Sequence, residues 1–446
     1  MPATKITSID VSCQQFECRS FREGEHSLVL EFNSTQKASE VRCPHCGARV
    51  HVHDCGTMRL RDIPFWVGVE QSLEVHYHRY RCSQCGRSFS EDVCFRHPGT
   101  KITERTAIWV RELLRWHLSI SSVHEITGIH WETIRNVHRK MMRETVGERW
   151  RELSQSDYRP RYLAVDEFAI HRGHRYATCV MDLVEGDILW VGNGRSLECF
   201  DRFFKEFDLS YLSNVEAVAM DMNAPYNKLV EKYLPNAEIV YDRYHMQAQF
   251  GREVLGAVRL AEARRHREQS MEISESIREV EDPAERRELR KQARSEMDDY
   301  VDLKGSRWTL LTNGENLSEG KSRTLSKILE NHESLAVCYA MKEEMCRLFE
   351  LEDPDEARRG WSDWFDAAES SGIPQLEKFA RLKRERLDGL VAHARHRIST
   401  GRLEGFNNKI KVAKRIGYGY RDDDYFFTLV RYMSMPAVKM SSPRIP

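Results

Sequence analysis

The sequence lacks the features of membrane and exported proteins. Among its 446 residues, no apolar run approaches the roughly 18 residues that a membrane-spanning helix needs. The opening residues, Met1-Pro2-Ala3-Thr4-Lys5, do not form the apolar stretch of a signal peptide. We therefore expect a cytoplasmic protein that does not bind membranes.

The chain also lacks an excess of charge of either sign. Its 68 Lys and Arg residues against 69 Asp and Glu residues give a net charge of −1, which by itself weighs against nucleic-acid binding. The charge is uneven, however, because residues 379–421 contain twelve basic and three acidic residues. Since only the local surface meets phosphate, a basic face can exist on a neutral chain.

The twelve cysteines show no spacing typical of a disulfide framework, but four of them form two CxxC pairs, each followed by glycine. A CxxC turn brings two thiolates to one ion, and two such turns form a closed, structural zinc site. The sequence therefore predicts a zinc ribbon whose ligands are Cys43, Cys46, Cys82 and Cys85. The alternatives are free thiols, or ligands drawn from the nearby His51, His53 and Cys55.

Residues 121–137 have the pattern of two short helices around a turn at Gly128. The apolar residues that would form their shared core are Val123, Ile126, Ile129, Ile134 and Val137. In a helix-turn-helix, the second helix presents polar side chains to the major groove. The predicted DNA-binding residues here are Thr133, Arg135, Asn136 and Arg139. An ordinary helical hairpin is the alternative.

From residue 161 the pattern changes to short strands separated by turns and helices. The predicted strands cover residues 162–166, 176–182, 188–191, 215–221 and 238–242, and the predicted helices begin near residues 196 and 225. This order predicts a mixed α/β sheet that starts with an antiparallel meander. Residues 243–398 are predicted to be mostly helical, with Trp308, Trp361 and Trp364 anchoring their packing.

Two of these strands end in acidic residues, Asp166 and Asp221, and a later helical segment contains Glu404. Cutting a phosphodiester requires an activated attacking oxygen and a stabilised leaving oxygen. Two hard divalent ions held by carboxylates provide both. The local context of Asp182 and Asp242 is equally good, so the pattern alone does not select the ligands.

The residues after Glu404 carry a second indication. Asn408, Lys411 and Arg415 follow it at helical spacing and so share one stripe of a helix. A carboxylate followed by cations suits an enzyme that holds DNA beside its metal ions. The predicted DNA-binding residues of this segment are Asn408, Lys411, Lys414 and Arg415.

The order of these motifs resembles the ISL3 family of bacterial insertion-sequence transposases over residues 40–435. The most specific block is Glu404-Gly405-Phe406-Asn407-Asn408-Lys409-Ile410-Lys411, after Val165-Asp166-Glu167 and Met220-Asp221-Met222. The resemblance implies an α/β, ribonuclease-H-like mixed sheet core with a helical insertion. It also implies that Asp166, Asp221 and Glu404 are the catalytic residues and bind two Mg²⁺ or Mn²⁺ ions, with Asp242 and His245 as supporting residues. Thr400-Gly401 departs from the Asn-Gly pair we would expect.

The resemblance implies a DDE transposase that binds the terminal inverted repeats of an insertion sequence, cleaves them and joins them to target DNA. We expect association with the nucleoid and a homodimer or larger homo-oligomer. The alternatives are a non-enzymatic DNA-binding regulator and a ribonuclease-H-like nuclease without strand transfer. The expected domains are the zinc ribbon region (1–97), the helix-turn-helix (98–155), the first part of the core (156–250), the helical insertion (251–395) and the last part of the core (396–446).

Overall fold

The computed structural model describes residues 15–64, 68–116, 118–171, 175–222 and 224–435. The chain divides into two compact units. Of the described residues, the first unit combines those up to Trp150 with Ala413–Tyr432, and the second combines Arg151–Val412 with 433–435. In the described part of the chain, no helix has the length and apolarity needed to cross a membrane.

The first unit contains a five-stranded sheet. Its strands are β1 (Phe16–Gly24), β2 (Ser27–Ser34), β3 (Val50–Arg61), β4 (Glu70–Cys82) and β5 (Ser88–Ser90). They are arranged in the order β1-β2-β4-β3, with β5 also paired to β4. Strands β2 and β4 are parallel, and the other pairs are antiparallel. Alternate residues of β2, including Leu28 and Leu30, are buried, as expected for a strand with one face on the core.

Three helices follow in this unit: α1 (Glu104–Arg115), α2 (Ile120–Thr127) and α3 (Trp131–Gln155). Gly128 ends α2 with a φ of 66°, a left-handed conformation that glycine adopts without steric cost. The predicted turn is therefore present, but the prediction of two short helices was wrong for the second one, because α3 has 25 residues.

Four of the five residues predicted for the shared helical core are buried: Val123, Ile129, Ile134 and Val137. The prediction was wrong for Ile126, whose side chain is 53% exposed. The adjacent Thr127 takes the buried position in the last turn of α2, where its hydroxyl donates a hydrogen bond to the Val123 carbonyl.

The second unit contains a mixed sheet of five strands. Its strands are β6 (Tyr162–His171), β7 (Arg175–Asp182), β8 (Ile188–Asn193), β9 (Ala217–Met220) and β10 (Glu238–Tyr241). Their order is β10-β9-β6-β7-β8. Strands β6, β9 and β10 are parallel, whereas β7 is antiparallel to both β6 and β8. The predicted antiparallel meander and mixed α/β sheet are confirmed.

Strand β6 extends five residues beyond its predicted end at Asp166. Its pairing with β9 stops at Ala164, but its pairing with β7 continues to His171. Asp166 therefore lies in the middle of β6, just beyond the last residue of this strand that pairs with β9.

Helices α4 (Leu197–Glu206) and α5 (Ala224–Tyr233) connect the strands. After β10 the chain is helical, as predicted, before it reaches α15 (Gly401–Ile416) and α16 (Asp423–Ser434). The intervening helices are α6 (Arg243–Phe250), α7 (Gly256–Ser276), α8 (Pro283–Gly305), α9 (Arg307–Leu311), α10 (Glu319–Asn331), α11 (Glu333–Leu348), α12 (Pro354–Glu369), α13 (Pro374–Arg384) and α14 (Leu387–Arg395).

A large apolar core holds these helices together, and Trp361 and Trp364 are buried in it as predicted. The prediction was wrong for Trp308, whose side chain is 67% exposed. It belongs to the five-residue helix α9, in which Leu310 is the buried apolar residue, and the Arg307 guanidinium lies over the Trp308 ring.

Candidate active site and metal centre

Three aspartates lie in one row across the parallel strands of the second sheet. Ala164 of β6 pairs with Ala219 of β9, so Asp166 and Asp221, each two residues further on, share one level. Tyr241 of β10 pairs with Met220, which places Asp242 at that same level, and its backbone N–H donates to the Met220 carbonyl. Because residues level with each other on neighbouring strands are about 5 Å apart, the sheet brings the three carboxyl groups to one edge.

Glu404 reaches this edge from α15, and His245 from α6 lies between it and Asp221. The Nδ1 atom of His245 is 3.5 Å from Asp221 Oδ2, and its Nε2 atom is 3.6 Å from Glu404 Oε1. One imidazole therefore spans two of the carboxylates predicted from sequence, and all three side chains are accessible enough to meet a ligand.

The pKa of the third carboxylate, Asp166, depends on its burial and on the charges of the other two. Burial raises the pKa of Asp166 above its ordinary value, and the negative charges of Glu404 and Asp221 raise it further. The Glu167 backbone N–H and the His245 side chain act in the opposite direction. The residues predicted as catalytic thus share one electrostatic environment, in which nearby like charges oppose ionisation unless a cation balances them.

The Asp242 carboxylate is almost fully buried and both of its oxygens are engaged. Oδ1 accepts the His245 backbone N–H at 3.1 Å at the start of α6. Oδ2 accepts the backbone N–H of Thr400 at 2.9 Å and its hydroxyl at 2.8 Å. Asp242, His245 and Glu404 each offer a ligand atom within 4.8 Å of the others, but both oxygens of Asp242 already accept hydrogen bonds from the protein.

Thr400 stands where the resemblance led us to expect asparagine, and it makes a well-defined start to α15. Its carbonyl accepts the Glu404 backbone N–H at 2.8 Å, and its hydroxyl is 3.4 Å from Glu404 Oε1. The turn at Thr400-Gly401 therefore forms despite the departure, and it ties the first turn of α15 to Asp242.

Asn407 is a site residue that the sequence reasoning did not single out. It is buried one turn after Glu404, and its Nδ2 atom donates to Asp166 Oδ2 at 2.7 Å. The other oxygen of Asp166 accepts the Glu167 backbone N–H at 2.7 Å. The i+3 spacing from Glu404 was the available signal, because residues three apart share a helix face.

Asp182 does not join this group. Its carboxylate is fully buried and accepts hydrogen bonds from the Tyr158 hydroxyl at 2.7 Å and the Val184 backbone N–H at 2.9 Å. Asp182 therefore holds the turn between β7 and β8. The residues around Asp182 and Asp166 are alike along the chain, but their surroundings in the fold are different.

The residues predicted to bind DNA after Glu404 all belong to α15. Asn408, Lys411 and Arg415 are exposed and Lys414 is half-buried. Lys411 Nζ donates to Asn408 Oδ1 at 3.1 Å. Burial lowers the pKa of Lys414.

Among the residues predicted to bind DNA from α3, Asn136 is exposed and Thr133, Arg135 and Arg139 are half-buried. Within the first unit, both arginines form ion pairs with Asp422, and both guanidiniums lie over the Tyr425 ring. The two cations are therefore engaged by the segment that leads into α16.

The four cysteines of the CxxC pairs converge at one end of the β3–β4 hairpin. One pair precedes β3, and the other lies at the end of β4. Cys43 Sγ is 3.7 Å from Cys85 Sγ, and Cys46 Sγ is 3.5 Å from Cys82 Sγ. Sulfur atoms that share one tetrahedral zinc ion at about 2.3 Å are about 3.8 Å apart, so the cluster has the size of such a site. The backbone N–H groups of Cys85 and Gln84 point at Cys82 Sγ and lower the pKa of that thiol.

Comparison with known proteins connects this arrangement to transposases. A model of the ISL3-type DDE transposases, described as "Transposase", matches residues 163–430. The chain is 34% identical over 398 residues to the transposase for insertion sequence element IS1001 of Bordetella parapertussis, covering 88% of this chain and 89% of that protein. It is 26% identical over 415 residues to the transposase for insertion sequence element IS1557 of Mycobacterium tuberculosis, covering 91% and 88%. The matched region contains both strand aspartates and the helix of Glu404, and the chain belongs to the ISL3 family of transposases.

Proposed function

We propose that this transposase is a DDE enzyme that cleaves DNA at the ends of an insertion sequence and joins those ends to target DNA. The observation that carries the proposal is the convergence of Asp166, Asp221 and Glu404 around His245. The strand order, with two of these carboxylates level on neighbouring parallel strands, supports the ribonuclease-H-like core that the family resemblance implies.

The donor set suits hard divalent ions. Three carboxylates close enough to raise the pKa of Asp166 form a concentrated negative site, and oxygen ligands of this kind are those that Mg²⁺ prefers. Asp166, Asp221 and Glu404 would hold two Mg²⁺ or Mn²⁺ ions. When bound, such a pair activates the attacking oxygen and stabilises the leaving oxygen of an in-line displacement.

The protein residues have distinct tasks in this scheme. Asp166 and Asp221 are fixed by the sheet, and Asn407 orients Asp166 through its hydrogen bond. Asp242 and Thr400 fix the first turn of α15 and so the position of Glu404. His245 holds the Asp221 and Glu404 side chains on either side of its ring.

Two displacements at one site account for the reaction. Water attacks the phosphorus at the element end, the P–O bond to the 3′ oxygen breaks, and a 3′-hydroxyl is left. That hydroxyl then attacks a phosphodiester of the target, forming one P–O bond as another breaks. In the first step water supplies the new P–O bond, and in the second the 3′-hydroxyl supplies it. No covalent protein–DNA intermediate is therefore needed, and no Tyr or Ser nucleophile is required.

The first unit is the proposed end-binding part. A zinc ion held by Cys43, Cys46, Cys82 and Cys85 would stabilise the ribbon, and the sulfur spacings support that ligand set. Helices α2 and α3 are the proposed helix-turn-helix, with Thr133, Arg135, Asn136 and Arg139 towards DNA. Asn408, Lys411, Lys414 and Arg415 of α15 are the proposed phosphate contacts. The domain boundaries given above, and assembly of at least two copies to hold two ends, are part of this proposal.

The test is an assay of the purified full chain with a labelled element-end duplex and a target plasmid. Mg²⁺-dependent nicking followed by joined products is the expected result, with neither product in EDTA. Nicking without joining would move the assignment to a nuclease. Binding without any cut strand would instead favour a DNA-binding regulator. A regulator would have no use for the converging carboxylates.

A further inference from the structure

A second cluster of ligand-type side chains lies in the helical part of the second unit, separate from the carboxylates of the sheet. Glu262 and His266 are one turn apart on α7, and His332 joins α10 to α11. One ligand atom from each lies within 4.8 Å of the other two. Both histidines are buried, and the two rings meet edge to face with centroids 5.1 Å apart.

One buried ring nitrogen of each histidine has no hydrogen-bond partner among the described residues. These atoms are His266 Nε2 and His332 Nδ1. Buried polar nitrogens almost always have a hydrogen-bond partner, because removing such an atom from water without replacing its hydrogen bond is unfavourable. Two such atoms on side chains whose rings are in contact therefore indicate that something else binds between these side chains.

Glu296 of α8 determines which His266 nitrogen offers a lone pair. The His266 Nδ1 atom lies 2.5 Å from Glu296 Oε2. Since a carboxylate only accepts hydrogen bonds, Nδ1 carries the proton, and the buried Nε2 is left with a lone pair that no described residue uses. A carboxylate behind a histidine is the arrangement that orients histidines which bind metal ions.

The surroundings favour a bound cation. Ala263, Leu303, Ile328 and Leu335 belong to the apolar core that packs around these helices. Glu262 brings a negative charge into this region, and among the described residues it pairs with Arg265 at 2.9 Å, whose side chain is mostly exposed. A divalent cation would satisfy both imidazoles and balance the carboxylate.

We infer that Glu262, His266 and His332 form a binding site for a zinc-class divalent ion that clamps α7 to the joint between α10 and α11. Two imidazole nitrogens and one carboxylate oxygen form a donor set that suits Zn²⁺ and Co²⁺ better than Mg²⁺. Ligand atoms around a tetrahedral ion of this size are about 3.4 Å apart, so each side chain needs to move by less than about 1 Å. The ion is structural and is distinct from the ion proposed for the cysteines.

Cobalt is the probe that separates the two sites. The full chain, stripped of metal, is titrated with Co²⁺ and followed by absorption, because thiolate ligands give strong near-ultraviolet charge-transfer bands and imidazole and carboxylate ligands do not. With excess Mg²⁺ present to occupy the carboxylates of the sheet, two equivalents of Co²⁺ are expected to bind, with thiolate bands arising from one of them. Cys82→Ser should lose the thiolate bands and keep one equivalent with visible bands alone.

The matched variants then assign the second equivalent. His332→Gln and Glu262→Gln should keep the thiolate bands and lose the second equivalent, whereas His393→Gln, half-buried against Phe349 in the same unit, should keep both. Added Zn²⁺ should raise the melting temperature of Cys82→Ser but not that of Cys82→Ser combined with His332→Gln. Binding of one equivalent to the unaltered chain, with thiolate bands only, would overturn the inference even if the histidine variants fail to fold. If the unaltered chain bound one equivalent without thiolate bands, the result would instead count against the zinc site proposed for the four cysteines.

Discussion

The Asp242 carboxylate accepts two hydrogen bonds from Thr400, one from its backbone N–H and one from its hydroxyl. The pair joins the end of β10 to the first turn of α15, four residues before Glu404. Asp242, which lies next to Asp221 at the same edge of the sheet, is thus tied to the helix that carries Glu404, the third of the carboxylates proposed as catalytic.

Thr400→Val should lower DNA cleavage by roughly 10–100-fold, the range seen when groups that orient metal ligands are removed. Valine keeps the shape and the backbone N–H but loses the hydroxyl bond to Asp242, so Glu404 is held less firmly. The measurement is the cleavage rate as a function of Mg²⁺ concentration. We expect a higher Mg²⁺ requirement, partial rescue by excess Mg²⁺, and unchanged end binding.

Thr324→Val, at an exposed position of α10 where the hydroxyl bonds to its own helix, is the control and should behave as the unaltered enzyme. If Thr400→Val lost activity only because it was less thermally stable, and its activity did not rise with added Mg²⁺, the positioning role would be refuted.

Asn407→Ala and Asn408→Ala should separate catalysis from binding at adjacent positions. Asn407 is buried and donates to Asp166, whereas Asn408 is exposed beside Lys411. Cleavage should fall by roughly 10–100-fold in Asn407→Ala with end affinity preserved. Asn408→Ala should weaken DNA binding by less than tenfold and leave the rate at saturating DNA unchanged. Cleavage kinetics at saturating and limiting DNA make the distinction, and equal behaviour of the two variants would contradict it.

Asp166→Asn should stabilise the metal-free protein as it abolishes cleavage. Burial raises the pKa of Asp166 in the fold, so the folded state favours the protonated form. The stability that this group contributes is present below its unfolded pKa and is lost as the pH rises through the folded pKa. An amide has no charge to bury, and Asn407 can turn its unpaired buried Oδ1 towards it.

The measurement is thermal unfolding in EDTA between pH 4 and 8. The melting temperature of Asp166→Asn should exceed that of the unaltered chain by a margin that grows with pH and then levels off. A margin that shrinks with rising pH, or a less stable variant throughout, would show that the carboxylate is better satisfied than its burial indicates.

Asp422→Asn should release Arg135 and Arg139 and strengthen DNA binding. Both guanidiniums pair with this carboxylate, and each one freed for phosphate adds about 0.9 to the slope of log affinity against log salt. We therefore expect a slope steeper by about one to two and tighter binding at low salt. Asp363→Asn removes the same charge from an exposed position of α12 and should change neither quantity. Weaker binding together with a lower melting temperature would mean that the Asp422 pairs serve only the fold.

The sequence predicted the strands of the second sheet because their apolar runs are short, β-branched and separated by clear turns. It predicted the four cysteines because CxxC spacing brings thiolates together locally. It could not distinguish Asp166, Asp182 and Asp242, whose neighbours along the chain are alike. Their roles differ because α15 packs on the edge that holds Asp166 and Asp242, whereas Asp182 closes a turn onto Tyr158.

Other misses have the same cause. The exposure of Ile126 and Trp308 depends on which side of a short helix packs, and a helix of one or two turns carries too few residues for periodicity to decide that. The engagement of Arg135 by Asp422 joins residues 287 positions apart, a distance over which no local pattern operates.

The most direct test of the account is the comparison of Glu404→Gln with Glu238→Gln in the strand-transfer assay. The two substitutions are identical in chemistry, but Glu404 faces His245 at the active site and Glu238 pairs with Arg395 and His396 at the start of β10. We predict that Glu404→Gln binds element ends normally and yields neither nicked nor joined DNA with Mg²⁺, whereas Glu238→Gln yields both. Nicked and joined products from Glu404→Gln would contradict it.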